Sequence, residues 1–307
     1  MGTHCHSQHE TTRQIVLGRF CGIVGRFCGT KGILRRICRG MLVLAAVSDV
    51  QYQRLRGAVT PRFTLARAQT WDVALETIKG RPVEIAVVDP MLGGARGQEV
   101  ERLRVLFPSL PFILYTPVMT PELAPVLLQM GKCGISQVVL SRTEDHPDRL
   151  RDLLSEEAMH SASHRLLEQL TAALAPLPPE LRWVLEDALR TPGEVQTIQQ
   201  VAARARVDRG TCARWFTRAG LPSPREILAA ARVLYAHRLL QDPGFTIDDV
   251  AKRLGYAQAK TLQQHARKYL GLTAGEMKLS LTADQATGRI VQGFLTPATH
   301  AVAASAS

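Results

Sequence analysis

No apolar run in the sequence approaches the ~18 residues that a helix needs to cross a bilayer. The chain also lacks a Gly-rich phosphate loop and a nucleophile with a signalled base nearby. It has no Cys/His set at zinc-module spacing, since His4, Cys5, His6 and His9 stand at no matching distance from Cys21 and Cys28. Each absence removes a class of enzyme, so the chain reads as a non-enzyme with no cofactor. Cysteine is sparse, with six in 307 residues (Cys5, Cys21, Cys28, Cys38, Cys133, Cys212), which is no disulfide framework. The last two fall at apolar positions of expected elements, where a free thiol behaves as a small hydrophobe. Basic residues precede the apolar run Met41–Val47, but that run stops at Ser48-Asp49 and reads as a buried strand instead of a signal-peptide core. A cytoplasmic location is the expectation.

Charge is plentiful and unevenly spread, with 38 Lys+Arg against 27 Asp+Glu overall. Residues 1–40 hold seven basic and one acidic residue, residues 41–163 hold 13 against 14, and residues 164–280 hold 17 against 11. A basic segment beside a neutral one fits a nucleic-acid-binding half attached to a different module. A generally Arg-rich coding bias would raise the total as well.

Residues 1–40 carry the repeat Gly18-Arg-Phe-Cys-Gly22 and Gly25-Arg-Phe-Cys-Gly29 with no clean amphipathic period. They read as a disordered basic extension, with Met41 as an alternative start. From 41 to 159, short apolar runs at Leu42–Val47, Phe63–Ala66, Glu84–Val88, Phe112–Thr116 and Gln137–Leu140 alternate with helical patterns such as Trp71–Ile78, Glu99–Phe107 and Glu122–Met130. Apolar strands without polar alternation, each followed by a helix, imply an α/β doubly wound parallel sheet covered on both faces. Residues 160–195 read as a helical connector, broken at Pro176-Leu-Pro-Pro179 before a helix over Glu180–Leu189. Residues 196–278 read as an all-α domain, and the Ala/Thr/Ser-rich stretch 279–307 as a disordered tail.

Within 196–278 two helix-turn-helix units stand in tandem. In the first, Ile198, Val201 and Ala202 form an apolar face, Arg206-Val207 makes a turn, and Asp208 caps a second helix that ends at Gly220. That helix carries Arg209, Thr211 and Arg214 outward and Cys212, Trp215 and Phe216 inward. Ser223-Pro224-Arg225-Glu226 is a capping box with proline at the first helical position. It starts a linker helix of about 18 residues and roughly 27 Å, stopped by Asp242-Pro243-Gly244. The second unit opens at Thr246 with Ile247, Val250, Ala251 and Leu254 inward and Gly255 at its turn. Its second helix, about Gln258 to Leu270, turns Lys260, Thr261, Gln264, Arg267 and Lys268 outward. Long donors of this kind reach base edges in the major groove while their neighbours neutralise phosphates.

These residues resemble the DNA-binding domain of AraC/XylS-type transcription regulators. The likeness rests on Arg232, Ala236, Leu239 and Leu240 in the linker helix, and on Ile247, Val250-Ala251, Leu254-Gly255-Tyr256, Arg267-Lys268, Gly271 and Thr273 in the second unit. It implies base readers at Ala213 and Arg214 in the first unit and at Lys260, Thr261 and Gln264 in the second. Tyr256 and Ala266 stand where the family usually has Phe, and Gly210 lies inside the first recognition helix.

The segment 41–159 resembles a response-regulator receiver domain of flavodoxin-like order. Its best point is Val83-Glu-Ile-Ala-Val-Val-Asp89-Pro-Met-Leu-Gly93. The resemblance implies a phosphoacceptor at Asp89, on the carboxyl edge of the sheet, with Thr116 as the switch hydroxyl. A receiver's magnesium is held by an acidic pair after the first strand, for which only Ser48-Asp49 is available, and Ser141-Arg142 stands where a receiver has its lysine. Asp49 with Asp89 is therefore a weak magnesium site, needed only if Asp89 is phosphorylated; a degenerate receiver used for dimerisation or docking is the favoured reading.

Together these features predict a sequence-specific transcription regulator that binds double-stranded DNA under the control of its N-terminal domain. RNA polymerase and a homodimer formed through that domain are further partners the reading admits; a membrane is not. The alternative is a non-enzymatic signalling adaptor whose helical domain binds protein.

Overall fold

The computed structural model describes residues 41–59, 63–117, 120–190 and 195–295. The extension at 1–40, with the repeat and the cysteines read there, lies outside the described residues, as do residues 296–307.

Five parallel strands, β1 (Met41–Ala46), β2 (Phe63–Arg67), β3 (Val83–Val88), β4 (Phe112–Thr116) and β5 (Gln137–Leu140), form one sheet in the order β2-β1-β3-β4-β5. This is the flavodoxin-like doubly wound arrangement expected. Successive strand side chains point to opposite faces, and both faces are buried. Val43, Ala45, Ile85, Val87, Ile113 and Tyr115 pack with Leu55 of α1 (Asp49–Ala58) and with Leu150, Leu153 and Leu154 of α5 (Pro147–Ala158). Leu44, Ala46, Ala86, Val88 and Leu114 face the other way, in a core that includes α2 (Trp71–Gly80), α3 (Gln98–Leu106) and α4 (Leu123–Lys132). Continuous apolar strands arise because neither face meets water.

That second core does not stop at the sheet. It runs without a break into the C-terminal helices, through Phe107 and Leu110 to Tyr235, Leu239 and Phe245. Helices α6 (Ala162–Leu174) and α7 (Pro179–Arg190) fall in the stretch read as a connector, yet Leu166, Leu170, Leu181, Val184 and Leu185 are part of this core. They pack against α10 (Pro224–Leu240), reached after α8 (Ile198–Arg204) and α9 (Arg209–Arg218). Beyond it lie α11 (Ile247–Arg253), α12 (Ala259–Leu270) and α13 (Ala274–Ser280).

The expectation of disorder from 279 onward is corrected over its first part. Helix α14 (Ala283–Ile290) buries Ala286, Thr287 and Ile290 and packs on α10. Its start is encoded by a capping box, in which Thr282 accepts from the Gln285 N–H and the Gln285 side chain accepts from the Thr282 N–H. A composition rich in Ala and Thr hides that signal. Among the described residues no helix is long and apolar enough to cross a membrane.

Candidate nucleic-acid interface

Three of the four helices in the two candidate reading units start on a side-chain cap, and α12, whose N-cap Gln258 makes no such bond, does not. Thr197 and Gln200 form a capping box for α8, and Asp208 caps α9 by accepting from the Thr211 N–H at 2.8 Å. Hydrogen bonds from Thr211 hold the Asp208 carboxyl below its ordinary range, so the cap is ionised. Arg206 turns the chain between the two helices in the left-handed region, at φ +57°. Gly210 now has a physical reason: a Cβ there would sit 3.1 Å from the Asp208 Oδ1 that makes the cap. Helix α9 buries Cys212 and Phe216 and leaves Arg209, Arg214 and Arg218 exposed, with Thr211 half-buried. Arg214 Nη2 donates to the Thr211 hydroxyl at 2.7 Å, so these two candidate contacts form one coupled head.

The linker α10 has 17 residues, about 25 Å. Fourteen of them are buried, among them Arg232, Tyr235 and His237. A helix buried on nearly every side belongs inside a core, so α10 is the hub of the helical part and not a solvated rod. Arg232 stacks over the Tyr256 ring at 5.0 Å, and the Tyr256 hydroxyl lies 3.1 Å from His265 Nδ1 on α12. Tyr256 thereby ties the linker α10, the turn that it occupies and α12 together. Gln196, ahead of α8, donates to the Gly255 carbonyl at 3.0 Å and links the start of one unit to the turn of the other.

In the second unit, Thr246 and Asp249 cap α11, and Gly255 makes the turn at φ +72°. Helix α12 buries Leu262, Ala266, Tyr269 and Leu270. Lys260, Gln264, Arg267 and Lys268 are exposed and Thr261 is half-buried. The side chains of Lys260 and Gln264 have no hydrogen-bonding partner among the described residues, whereas Lys268 is engaged. Its ammonium lies 3.3 Å from Glu226 Oε1 and 5.0 Å from the centre of the Tyr269 ring, and both neighbours raise its pKa. Of the residues read as outward on α12, Lys268 is the one already committed within the fold.

Sequence reasoning missed the polar junction that anchors this unit on the amino edge of the sheet. Arg253, at the end of α11, is buried and donates from Nη1 to the Ile78 carbonyl (2.6 Å) and from Nη2 to the Val83 carbonyl (3.0 Å). Its guanidinium also stacks over the Phe245 ring at 5.2 Å. Tyr235 of α10 donates its hydroxyl to Glu84 Oε1 on β3 at 2.7 Å. Asp242 accepts from the Ser109 N–H (3.0 Å) and hydroxyl (2.5 Å). Burial pushes the Asp242 carboxyl up to about 6, opposed by those two bonds and by Arg253 and Arg104. Gly244 donates its N–H to the Leu106 carbonyl at 2.8 Å. A Cβ at Gly244 would lie 2.5 Å from the Phe107 ring, so glycine is the only residue that fits this approach. Lys79 and Asp249 face each other at 3.6 Å across the same boundary. The signals available were an arginine at an inward position of α11, beside Val250 and Leu254, and the Asp242-Pro243-Gly244 stop.

At the opposite, carboxyl edge lies Asp89, buried at the end of β3 and capped by the Met91 N–H at 2.9 Å. Burial raises its pKa, and the side chain beside it is that of Gln51, an amide. Asp49 is instead ion-paired with Arg67 on β2. Thr116 is fully buried and donates its hydroxyl to the Pro117 carbonyl at 2.9 Å. Arg142, where a receiver has lysine, adopts φ +68° and donates its N–H to Asp145 Oδ1 at 2.9 Å, and the same carboxyl pairs with Arg54 at 2.5 Å and Tyr115 at 2.7 Å. The residues here do not fit a magnesium site of the receiver kind: the carboxylate expected beside Asp89 is held by an arginine, and an amide occupies its place.

The comparisons agree with the helical half. Residues 201–279 match a family model described as a helix-turn-helix domain. No curated protein matches the chain. Among solved structures, full-length FixJ from B. japonicum is 14% identical, with 77% of this chain and 100% of that chain covered and a TM-score of 0.35. Residues 201–279 are a helix-turn-helix domain of the AraC type.

Proposed function

We propose that this chain is a sequence-specific DNA-binding transcription regulator in which α9 and α12 enter successive major-groove segments. Lys260, Thr261 and Gln264 read base edges, Arg209 and Arg267 neutralise phosphates, and the Thr211–Arg214 pair acts as a supporting clamp. Lys268, held by Glu226, contributes charge without reaching far. The observation that carries the reading is the exposed, unpartnered pair Lys260 and Gln264 on α12, presented by a helix whose other face is packed. A linker of about 25 Å is of the right order to set two reading heads one duplex turn apart, roughly 34 Å. The sheet domain acts as a docking module, and Asp89 is a strand-terminal turn residue in it. RNA polymerase and a second copy of the chain are the further partners of this reading.

Selection of bound fragments from random or genomic DNA tests it. The expected result is enrichment of a discrete sequence that Lys260→Ala with Gln264→Ala no longer retains, at a cost of about 2–4 kcal/mol for two base-edge contacts. No enrichment by the natural chain would favour the protein-binding adaptor instead.

A further inference from the structure

We infer that the amino edge of the sheet is a positioning surface for the second reading helix, with Arg253 as its positioning residue. The inference rests on the DNA-binding reading above and adds what the sheet domain does for it.

Two modes of control are open to a domain attached to a DNA reader. It can cover the reading face, or it can hold that face in register. Here Lys260, Gln264 and Arg267 of α12 are exposed while the sheet is docked, so the docked state does not mask them. The contacts fall on the far side of the unit, on α11 and the turn that leads into it. Arg253 supplies two hydrogen bonds to carbonyls at either side of the α2–β3 turn, and Gly244 supplies one to the end of α3. Helix α11 is one of the supports on which α12 packs, beside α10, α13 and α14, and it is only seven residues long. Such a short helix takes its placement from what it is packed on. Its two ends are fixed to the sheet domain, Asp249 by Lys79 near the start and Arg253 by the two carbonyls at the finish. The first unit has a different support, since α8 packs on α7 and Arg204 pairs with Asp187. Loosening the junction should therefore displace one reading helix and spare the other.

The test uses the full chain and a DNA fragment selected by the natural protein. Arg253→Met keeps an unbranched apolar stem and removes the guanidinium with both of its hydrogen bonds. The expected outcome is a loss of about tenfold in affinity for the selected fragment, with affinity for unrelated DNA changed by less than about twofold. Hydroxyl-radical footprinting should show protection lost over the half-site read by α12 and kept over the half-site read by α9. A purely structural role would weaken both half-sites together. Should Arg253→Met fail to fold, Lys79→Glu, which places a like charge opposite Asp249 at the half-buried rim, should give the same half-site pattern with about a threefold loss. An unchanged footprint and affinity in a folded variant would overturn the positioning role, and so would tighter binding, which would mark the junction as a restraint. Failure of the natural chain to select any fragment is a separate result that removes the DNA-binding reading itself.

Discussion

The hydroxyl of Tyr235, in the middle of the linker helix, donates to the carboxylate of Glu84 on the central strand at 2.7 Å, across 151 positions of sequence. Both side chains are buried, and burial together with the Glu84 charge drives the Tyr235 pKa far upward, so the phenol stays protonated and keeps donating. Sheet and helices are joined by a satisfied polar contact inside one apolar core.

Tyr235→Phe removes that contact. It should lower stability by about 1.5–3 kcal/mol, the range for a hydrogen bond to a charged group. The change should appear equally in signals from the sheet and from the helices during denaturant unfolding, because one core serves both. Two transitions that separate in the natural chain would contradict the shared core.

Gly244→Ala should cost about 1–3 kcal/mol through overpacking. The added methyl would meet the Phe107 ring and the Leu106 carbonyl at once, and the carbonyl belongs to the end of α3 and cannot swing away. Phe107→Leu in the same chain should recover part of the loss, measured by the midpoint of urea unfolding.

Asp242 makes the junction sensitive to pH. Its carboxyl titrates at about 6 in the folded chain because of burial, above its ordinary value of 3.8. The proton is thus held more tightly when folded, so this contribution to stability is complete below about pH 4 and is lost as pH rises through 6. Between pH 4 and 7.5 the natural chain should lose up to roughly 3 kcal/mol relative to Asp242→Asn. The asparagine can still accept from the Ser109 N–H, so comparing the two unfolding profiles isolates this one group. Parallel profiles would refute the assignment.

Asp89 should not take up a phosphoryl group. It is 6% exposed, Asp49 is held by Arg67, and the Thr116 hydroxyl is given to Pro117. Phosphoryl transfer gathers negative charge that needs a divalent cation and a nearby ammonium to offset it. Incubation with acetyl phosphate and magnesium followed by mass spectrometry should leave the mass unchanged. A gain of one phosphoryl group that disappears in Asp89→Asn would contradict this.

Local structure was legible where a signal lies within a few residues. The apolar, non-alternating strands located the sheet, and Ser223-Pro224-Arg225-Glu226, Thr246 and Asp208 marked the starts of α10, α11 and α9. Helix α14 was missed although Thr282 and Gln285 spell the same capping signal, because no apolar period follows them as clearly. The pairings across the junction could not be read. Arg253 meets Ile78 and Val83, and Tyr235 meets Glu84, between elements that no local periodicity relates. What the pattern could offer was an arginine on an inward face, and such a residue has a buried partner that its own helix does not name.

Salt dependence of binding to the selected fragment tests the central claim most directly. If α9 and α12 lie in the groove with Arg209, Arg214 and Arg267 near the backbone, about three phosphates are neutralised. The logarithm of the affinity should then fall linearly with the logarithm of salt concentration, with a slope of about −3 or steeper. A shallow or flat response, with the chain folded, would contradict docking of α9 and α12 on the DNA backbone through these cations and favour the protein-binding alternative.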